Sequence, residues 1–337
     1  MNFENIRLEK ELYGITGKSF TKALTELDPD ENYVGTPLEG LDAFERQLKR
    51  FDIKVSGKDC DLVEKFFSTT ESAVLFPEYV RRQIKKGMDS ASILPDIAAA
   101  TSYIDTVDYR GVYVNETGSD SIAEGGTLAT TAMTLSASST RLSKYARRLM
   151  CTYESMRKQR IETFGVALRT VGSHISRNIN SLAATAISAN ITPSTISGST
   201  LTYADLATFW ASMTDANMDV MLCSPAVMAS ILALDEMKTT VADLMKSGRA
   251  VTPFGVTLVK CPSLTASGDI IGIDSSMAAE VIFGGDVIVD IDKIFSNQNH
   301  EVACSVLIGV ARIYDKAVKV LKTTSNVSAP ASSKNKE

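Results

Sequence analysis

Gly17-Lys18-Ser19 has the form of the end of a phosphate-binding loop, in which backbone N–H groups cradle phosphates and the lysine reaches the outer ones. That loop requires a glycine five residues before Gly17. Leu12 stands there, and a charged helical segment precedes it where a strand is needed. Asp28, Asp30, Asn32 and Glu39 fall at positions one, three, five and twelve of a calcium loop. Tyr33 occupies the place where the sharp turn needs glycine and Pro29 stiffens the second position, so a capped turn is the better reading. Only two histidines, His174 and His300, exist to serve a hydrolase triad, and neither accompanies a G-x-S-x-G elbow. Asp290 and Asp292 alternate onto one face of a strand, which fits a solubilised edge strand better than an acid–base pair. Asp219, Ser224 and Asp274 could line an acidic cleft, yet they supply no convergent acid, base and nucleophile. Cys60, Cys151, Cys223, Cys261 and Cys304 are odd in number, scattered and never in a C-x-x-C pair, so they read as reduced core residues. Trp210, at helical spacing from Leu206, reads as core. These residues predict no catalytic, cofactor-binding or metal centre and favour a structural or binding role.

The chain behind them has 337 residues, 44% apolar and 22% charged, enough for one large or two ordinary domains with a sizeable core. That mix excludes a disordered tail protein and a fibre. No apolar run spans a bilayer, and Met1–Lys10 lacks the apolar core of a signal peptide. The net charge of −5 argues against a surface wholly given to nucleic acid. Charge is segregated, however. Residues 1–70 carry ten bases against fourteen acids, residues 141–180 nine bases against only Glu154 and Glu162, and residues 201–325 nine bases against fourteen acids. A basic middle between acidic ends suits an anionic partner or the acidic part of a neighbouring copy.

Periodicity supplies the elements. Residues 3–27 and 38–51 predict short amphipathic helices, the second with Leu41, Phe44, Leu48 and Phe51 on one face. Pro77 is expected to open a surface helix over Glu78–Met88, and Ile93–Tyr113 to form strand. Between Ser121 and Thr140 nine of twenty residues are Ser or Thr, with no Lys or Arg. Such a stretch has too little apolar surface for a core of its own, and an arm packed on a neighbouring subunit would explain it. Ile161, Phe164, Leu168, Val171, Ile175, Ile179, Leu182 and Ala186 step by three and four and predict a helix over 154–188, about 50 Å long. Gly165 and Gly172 weaken it, Arg169, Ser173, Arg177 and Asn180 lie on its polar side, and Asn190 with Pro193 ends it. Beyond Leu201 the pattern predicts a Thr202/Asp205-capped helix over 203–216, a strand at Asp219–Cys223 and a helix from Ser224 to Ala233. Strands are expected at 255–260, 269–273, 281–291 and 301–314, and disorder after Lys322.

This order of parts resembles the major capsid protein of tailed bacteriophages, with the Hong Kong ninety-seven capsid fold. The resemblance begins at Ser72-Ala-Val-Leu-Phe-Pro-Glu-Tyr-Val80 and runs through the polar arm and the long helix. It ends in Gly255-Val-Thr-Leu-Val259, Gly268-Asp-Ile-Ile-Gly-Ile-Asp274 and Ser305-Val-Leu-Ile-Gly-Val310. It covers residues 70–323 and rests on element order and soft motifs. The family implies an α+β protein that self-assembles as pentamers and hexamers into an icosahedral shell around double-stranded DNA, in the virion, after assembly in the host cytoplasm. It implies an N-terminal arm (1–70), a lead-in (71–108), an extended arm (109–140), a spine helix (141–200), an axial domain (201–253), axial and peripheral strands (254–323) and a disordered tail (324–337). The arm residues Tyr109, Arg110, Tyr113, Leu128, Met133 and Leu135 would meet a neighbouring subunit. Arg147, Arg148, Arg157, Arg160, Arg169 and Arg177 would contact a neighbour or DNA. Partners implied are other copies, a scaffolding protein, a portal, a decoration protein and non-specifically held DNA, with no membrane and no cofactor. Some members cross-link an arm lysine to a neighbour's asparagine; the segment Tyr109–Thr140 has no lysine, so no cross-link is expected. Some also lose an N-terminal scaffolding segment, whereas residues 1–70 are short for one and carry Phe44 and Phe51 on helix faces, which favours retention. An encapsulin-like nanocompartment shell, a tail-tube component and an enzyme with an unrecognised site are the alternatives.

Overall fold

The computed structural model describes residues 3–13, 18–117, 121, 123–136, 139–238, 250–264, 269–294, 296 and 298–323. Gly17 of the phosphate-loop pattern and the tail 324–337, expected to be disordered, lie outside the described residues.

Ser19 caps α1 (Phe20–Leu27), its hydroxyl accepting from the Lys22 N–H at 3.3 Å. Before it, among the described residues, the chain makes 3-10 turns at Phe3–Asn5 and Lys10–Tyr13, and the α-helix within the expected 3–27 segment is its last two turns. A reciprocal capping box between Asp42 and Glu45 starts α2 (Ala43–Arg50), later than the expected residue 38. Helix α3 (Thr70–Ala91) corrects the reading of a surface helix opened by Pro77, because it starts at a turn where the Ser72 N–H donates to Thr69 Oγ1 at 3.0 Å, and Pro77 lies inside it. An interior proline costs about 3 kcal/mol in lost ladder bonding and crowding. Here Tyr13 bridges the damaged ladder. The Glu78 N–H donates to its hydroxyl at 3.1 Å, and that hydroxyl donates to the Val74 carbonyl at 2.7 Å. Burial of Val74, Leu75, Phe76, Tyr79, Val80 and Ile84 offsets the remainder, so α3 is a core helix.

The expected strand over 93–113 resolves into α4 (Leu94–Ile97), β1 (Ala98–Tyr103), β2 (Asp108–Tyr109) and β3 (Val112–Thr117). There follow β4 (Thr130–Leu135), β5 (Thr140–Arg141) and β6 (Ser143–Thr152). The helix expected over 154–188 is two, α5 (Tyr153–Lys158) and α6 (Ile161–Ser188). They break at Gln159-Arg160 because residues 61–63 take the backbone groups there: Val63 N–H donates to Gln159 and Ile161 N–H to Asp61, both at 2.9 Å. Asn190 at φ +59° then turns the chain out of the helix.

The remaining elements are β7 (Ser194–Thr195), α7 (Tyr203–Ala211), β8 (Val220–Cys223), α8 (Pro225–Leu232), α9 (Asp235–Lys238), β9 (Ala250–Val251), β10 (Thr257–Lys260) and β11 (Asp269–Ile273). Helix α7 keeps its predicted Thr202/Asp205 capping box but ends a turn early. Where one strand was expected over 281–291 there are β12 (Ala279–Phe283) and β13 (Ile288–Ile294), separated by a turn through Gly285 at φ +114°. Strand β14 (Asn299–Arg312) follows, then β15 (Val318–Lys322), a strand beyond those expected from the sequence.

Two compact units emerge. The first comprises residues 1–91, 144–176 and 285–307. In it α3 and α6 cross at glycines: a Cβ on Gly172 would stand 2.1 Å from the Ile84 carbonyl oxygen, and one on Gly87 2.1 Å from that of Arg169. On the same two helices Phe76 stacks on Phe164, and Phe66 meets Phe76 edge to face. Glu78 on α3 is fully buried and takes Arg81 and Arg82 at 2.8 and 2.9 Å together with Thr21, so it ties α1 to α3. A sheet of β6, β14 and β13 completes the unit, β13 running antiparallel to β14 from Ile288↔Ser305 to Ile294↔Asn299.

The second unit comprises residues 92–143, 177–284 and 308–337. Its six-stranded sheet runs β7-β15-β11-β8-β10-β9, with β8 parallel to β10 and antiparallel to β11. Leu206, Phe209, Met221, Ile231, Leu258 and Ile270 form its core with α7 and α8. Asn180, placed on the polar side of the long helix by spacing, is buried instead. Its Oδ1 accepts from the Ile93 N–H at 3.2 Å, which satisfies the chain entering α4.

Candidate assembly surfaces

Strands β3 and β4 form a hairpin paired from Val112↔Leu135 to Thr117↔Thr130, and β2 with β5 forms its base through Tyr109↔Thr140. Strand β3 is held to its own chain. The Val114 N–H donates to Ile313 at 3.1 Å, Tyr113 Oη donates to Asp315 at 2.9 Å, and Tyr314 Oη donates to Glu116 at 2.9 Å. Burial and the Glu116 carboxylate push the Tyr314 phenol up to about 12. At the base, Tyr109 Oη donates to both oxygens of Glu280 at 2.9 and 3.0 Å, joined by the Ser102 hydroxyl. Burial first, then that carboxylate, raises the Tyr109 phenol. Tyr109 and Tyr113 therefore anchor the hairpin within the chain, while Arg110 points to solvent.

Strand β4 is different, for all six of its residues are exposed. Leu128, Met133 and Leu135 are 78%, 75% and 66% exposed, among the most open large apolar side chains of the described residues.

The six arginines singled out by sequence are not brought to one place. Arg147 and Arg148 stand exposed on β6, and Arg148 reaches Glu301 at 3.1 Å. Arg157 is exposed on α5 and lines a shallow pocket with Asp61, Leu62, Glu64, Lys65, Phe67 and Ser68. Arg160 donates to the Gly57 and Lys58 carbonyls at 3.0 and 2.7 Å, and Arg169 to Gln83 at 3.1 Å, so both are engaged within the chain. Arg177 is exposed in the second unit. The acids of residues 1–70 are likewise partly consumed internally. Arg46, fully buried over the Tyr33 ring, takes Asp28 at 2.6 Å and Asp30 at 2.9 Å. Glu39 accepts from the Gly35 N–H at 2.8 Å, so the calcium-loop positions are built around a guanidinium and a turn. Sequence reasoning missed Arg46, because its partners lie sixteen and eighteen residues away.

The other chemical candidates have local structural tasks. Asp219 accepts from the Ser275 N–H at 2.8 Å, Asp274 from Asn217 N–H at 2.8 Å, and Ser224 caps α8 by accepting from Val227. His300 is buried against Tyr153, ring centroids 4.6 Å apart, and burial lowers its pKa. His174 is half-buried on α6. All five cysteines are free, with Cys60 and Cys151 only half-buried. Trp210 is 37% exposed against Phe254, so it is not core as its spacing suggested. Among the described residues no group of three metal-ligating side chains occurs and no helix is long and apolar enough to cross a membrane.

Comparison with known proteins places this arrangement. The virus-like particle of Pyrococcus furiosus is similar in structure, at TM-score 0.53 and 12% identity over 73% of this chain and 98% of that one. The capsid protein of an empty GTA particle is similar at TM-score 0.51 and 12% identity, over 70% and 90% of the two chains. These likenesses establish the fold. No curated protein sequence matches the chain. A family model described as phage capsid protein matches residues 136–320, from the hairpin's return through α6 to β15. With more than half of its length so matched and an α+β capsid fold, the chain belongs to the phage capsid protein family and is a major capsid shell protein.

Proposed function

We propose that this chain assembles as pentamers and hexamers into an icosahedral shell that encloses double-stranded DNA. The observation that carries the reading is the β3–β4 hairpin, whose outer strand exposes every residue and leaves Met133 and Leu135 without burial. Exposed apolar side chains on an open strand edge are an association surface, and a hairpin whose inner strand is tied to its own chain while its outer strand stays exposed suits one that lies on a neighbouring copy.

In this reading residues 109–140 are the extended arm, 141–200 the spine of a peripheral domain, 201–253 the axial domain and 254–323 strands shared by both. Residues 71–108 lead in. Residues 1–70 are a retained segment, which the buried Arg46 and Glu78 networks support. Leu128, Met133, Leu135 and Arg110 meet the neighbour, with Tyr109 and Tyr113 setting the hairpin's direction. Arg147, Arg157 and Arg177 stand exposed to meet a neighbour or the DNA backbone, and Arg148 does so beside its Glu301 partner. Without an arm lysine the shell depends on non-covalent contacts or a decoration protein, and a scaffolding protein and portal complete it in the host cytoplasm. No chemical step is assigned.

Expression alone and beside its genomic neighbours, followed by negative-stain microscopy and sedimentation, tests this. Closed shells support it, and enclosed nucleic acid as against a co-purifying enzyme separates a virion from a nanocompartment. A stable monomer even with scaffolding protein present rejects it.

A further inference from the structure

Strand β14 pairs with β13 over residues 299–305 and also with β6, and neither of these two strands pairs with a further strand among the described residues. The sheet of the first unit thus has two open edges, and they carry opposite charge. Strand β6 holds Lys144, Arg147 and Arg148, all exposed, and no acid. Strand β13 exposes Asp290 and Asp292, which by alternation share one face, with Ile288 beside them 56% exposed. Lys293 leaves by the opposite face.

We propose that these edges are the two halves of one contact between copies: β6 of one subunit lies against β13 of the next. The proposal rests on the shell reading and names a surface within it. An open edge presents unpaired N–H and C=O groups to any extended chain, and charge decides which chain is admitted. Two β6 edges repel through Lys144 and Arg147 on each, Arg148 being paired with Glu301, and two β13 edges repel through their carboxylates, so symmetric edge-to-edge pairing is opposed. Only the unlike edges attract. That selects a head-to-tail contact, the type that closes into rings when its rotation permits. If the charges served solubility alone, one sign on both edges would do it, and the attraction between unlike edges would be absent.

Two charge-reversed variants test the contact, Lys144→Glu with Arg147→Glu and Asp290→Lys with Asp292→Lys. Among the described residues none of these four side chains has an ion pair within its own chain, so the folded subunit should keep its circular dichroism and urea midpoint. Each double variant should need about tenfold more protein for half-maximal shell assembly at low salt, a gap that narrows as salt screens the edges. The quadruple variant, with both edges reversed, should recover assembly. Double variants that assemble like the wild type, or a folded quadruple variant that stays as poor as the doubles, would overturn the edge contact while the wild type's shells left the shell reading standing. A wild type that forms no shells in the same assay would overturn both.

Discussion

Replacing Gly172 by alanine should destabilise the subunit, although helix propensity alone says the opposite. Alanine is better than glycine inside a helix by about 1 kcal/mol, and Gly172 lies well inside α6. The new Cβ, however, would stand 2.1 Å from the Ile84 carbonyl oxygen and 2.9 Å from the Met88 nitrogen, both backbone atoms of α3 that no rotamer change can move. Relieving the contact requires α3 and α6 to part by about 1 Å, a gap that forfeits a quarter to a half of each dispersion contact across it. The bonds that staple this crossing stretch with it: Tyr79 Oη to the Ile161 carbonyl at 2.9 Å and Ser173 Oγ to the Gly87 carbonyl at 3.1 Å. Overpacking of this kind costs about 1–3 kcal/mol and each weakened hydrogen bond up to about 1 kcal/mol. Set against the propensity gain, the net loss is about 2 kcal/mol. Urea unfolding of the unassembled subunit followed by far-ultraviolet circular dichroism measures it, with Gly198→Ala as control, since the nearest atom to a Cβ there is 4.0 Å away. A Gly172→Ala midpoint at or above the wild type's would refute the reasoning, because it would mean that the helices are free to part without loss.

Arg46→Met should leave the Asp28 carboxylate buried without its counter-charge, still accepting from the Tyr33 hydroxyl at 2.6 Å, at a cost of about 3–5 kcal/mol, and protease cleavage within residues 1–70 of the folded subunit should then rise sharply. Burial pushes the Glu78 carboxyl up, but the donors on Arg81, Thr21 and Arg82 outweigh it and hold the pKa below the ordinary 4.5. A folded-state pKa that is lowered contributes stability in full above 4.5 and loses it as pH falls through the lower folded value, so hydrogen exchange in α1 should accelerate in that acid range and not at neutral pH. Glu78→Gln should show the faster exchange already at neutral pH. Met133→Asp with Leu135→Asp should leave the subunit's urea midpoint within about 0.5 kcal/mol of wild type, since both sites are exposed, yet abolish shells; shells of normal yield would remove the hairpin from the assembly contact.

Much of the architecture is legible in the sequence where its cause is local. The three- and four-residue steps from Ile161 to Ile179 place a helix because burial of one helix face needs only that spacing, and all six apolar residues of that run are buried. The Thr202/Asp205 box and Ser224-Pro225 each announce a helix start within a single turn, and both caps are made. The Ser- and Thr-rich stretch before Thr140 announces a segment without a core of its own, and β4 is exposed along its whole length.

What only the tertiary structure decides is the meaning of residues whose partners are remote in sequence. Pro77 looks like a helix start until the Tyr13 hydroxyl is seen spanning the ladder it interrupts. Gly87 and Gly172 look like weak points in helices until the backbone of the crossing helix is found against them. Asn180 reads as a surface residue by spacing, yet the Ile93 amide makes its burial affordable. The acids of residues 1–70 look like a patch for a neighbour until Arg46 is found among them. The opposite charges of β6 and β13 become two edges of one sheet only because β14 lies between them. Periodicity records which side of an element is buried; it carries no record of what lies against that side, and that is set by which distant segments the chain folds together.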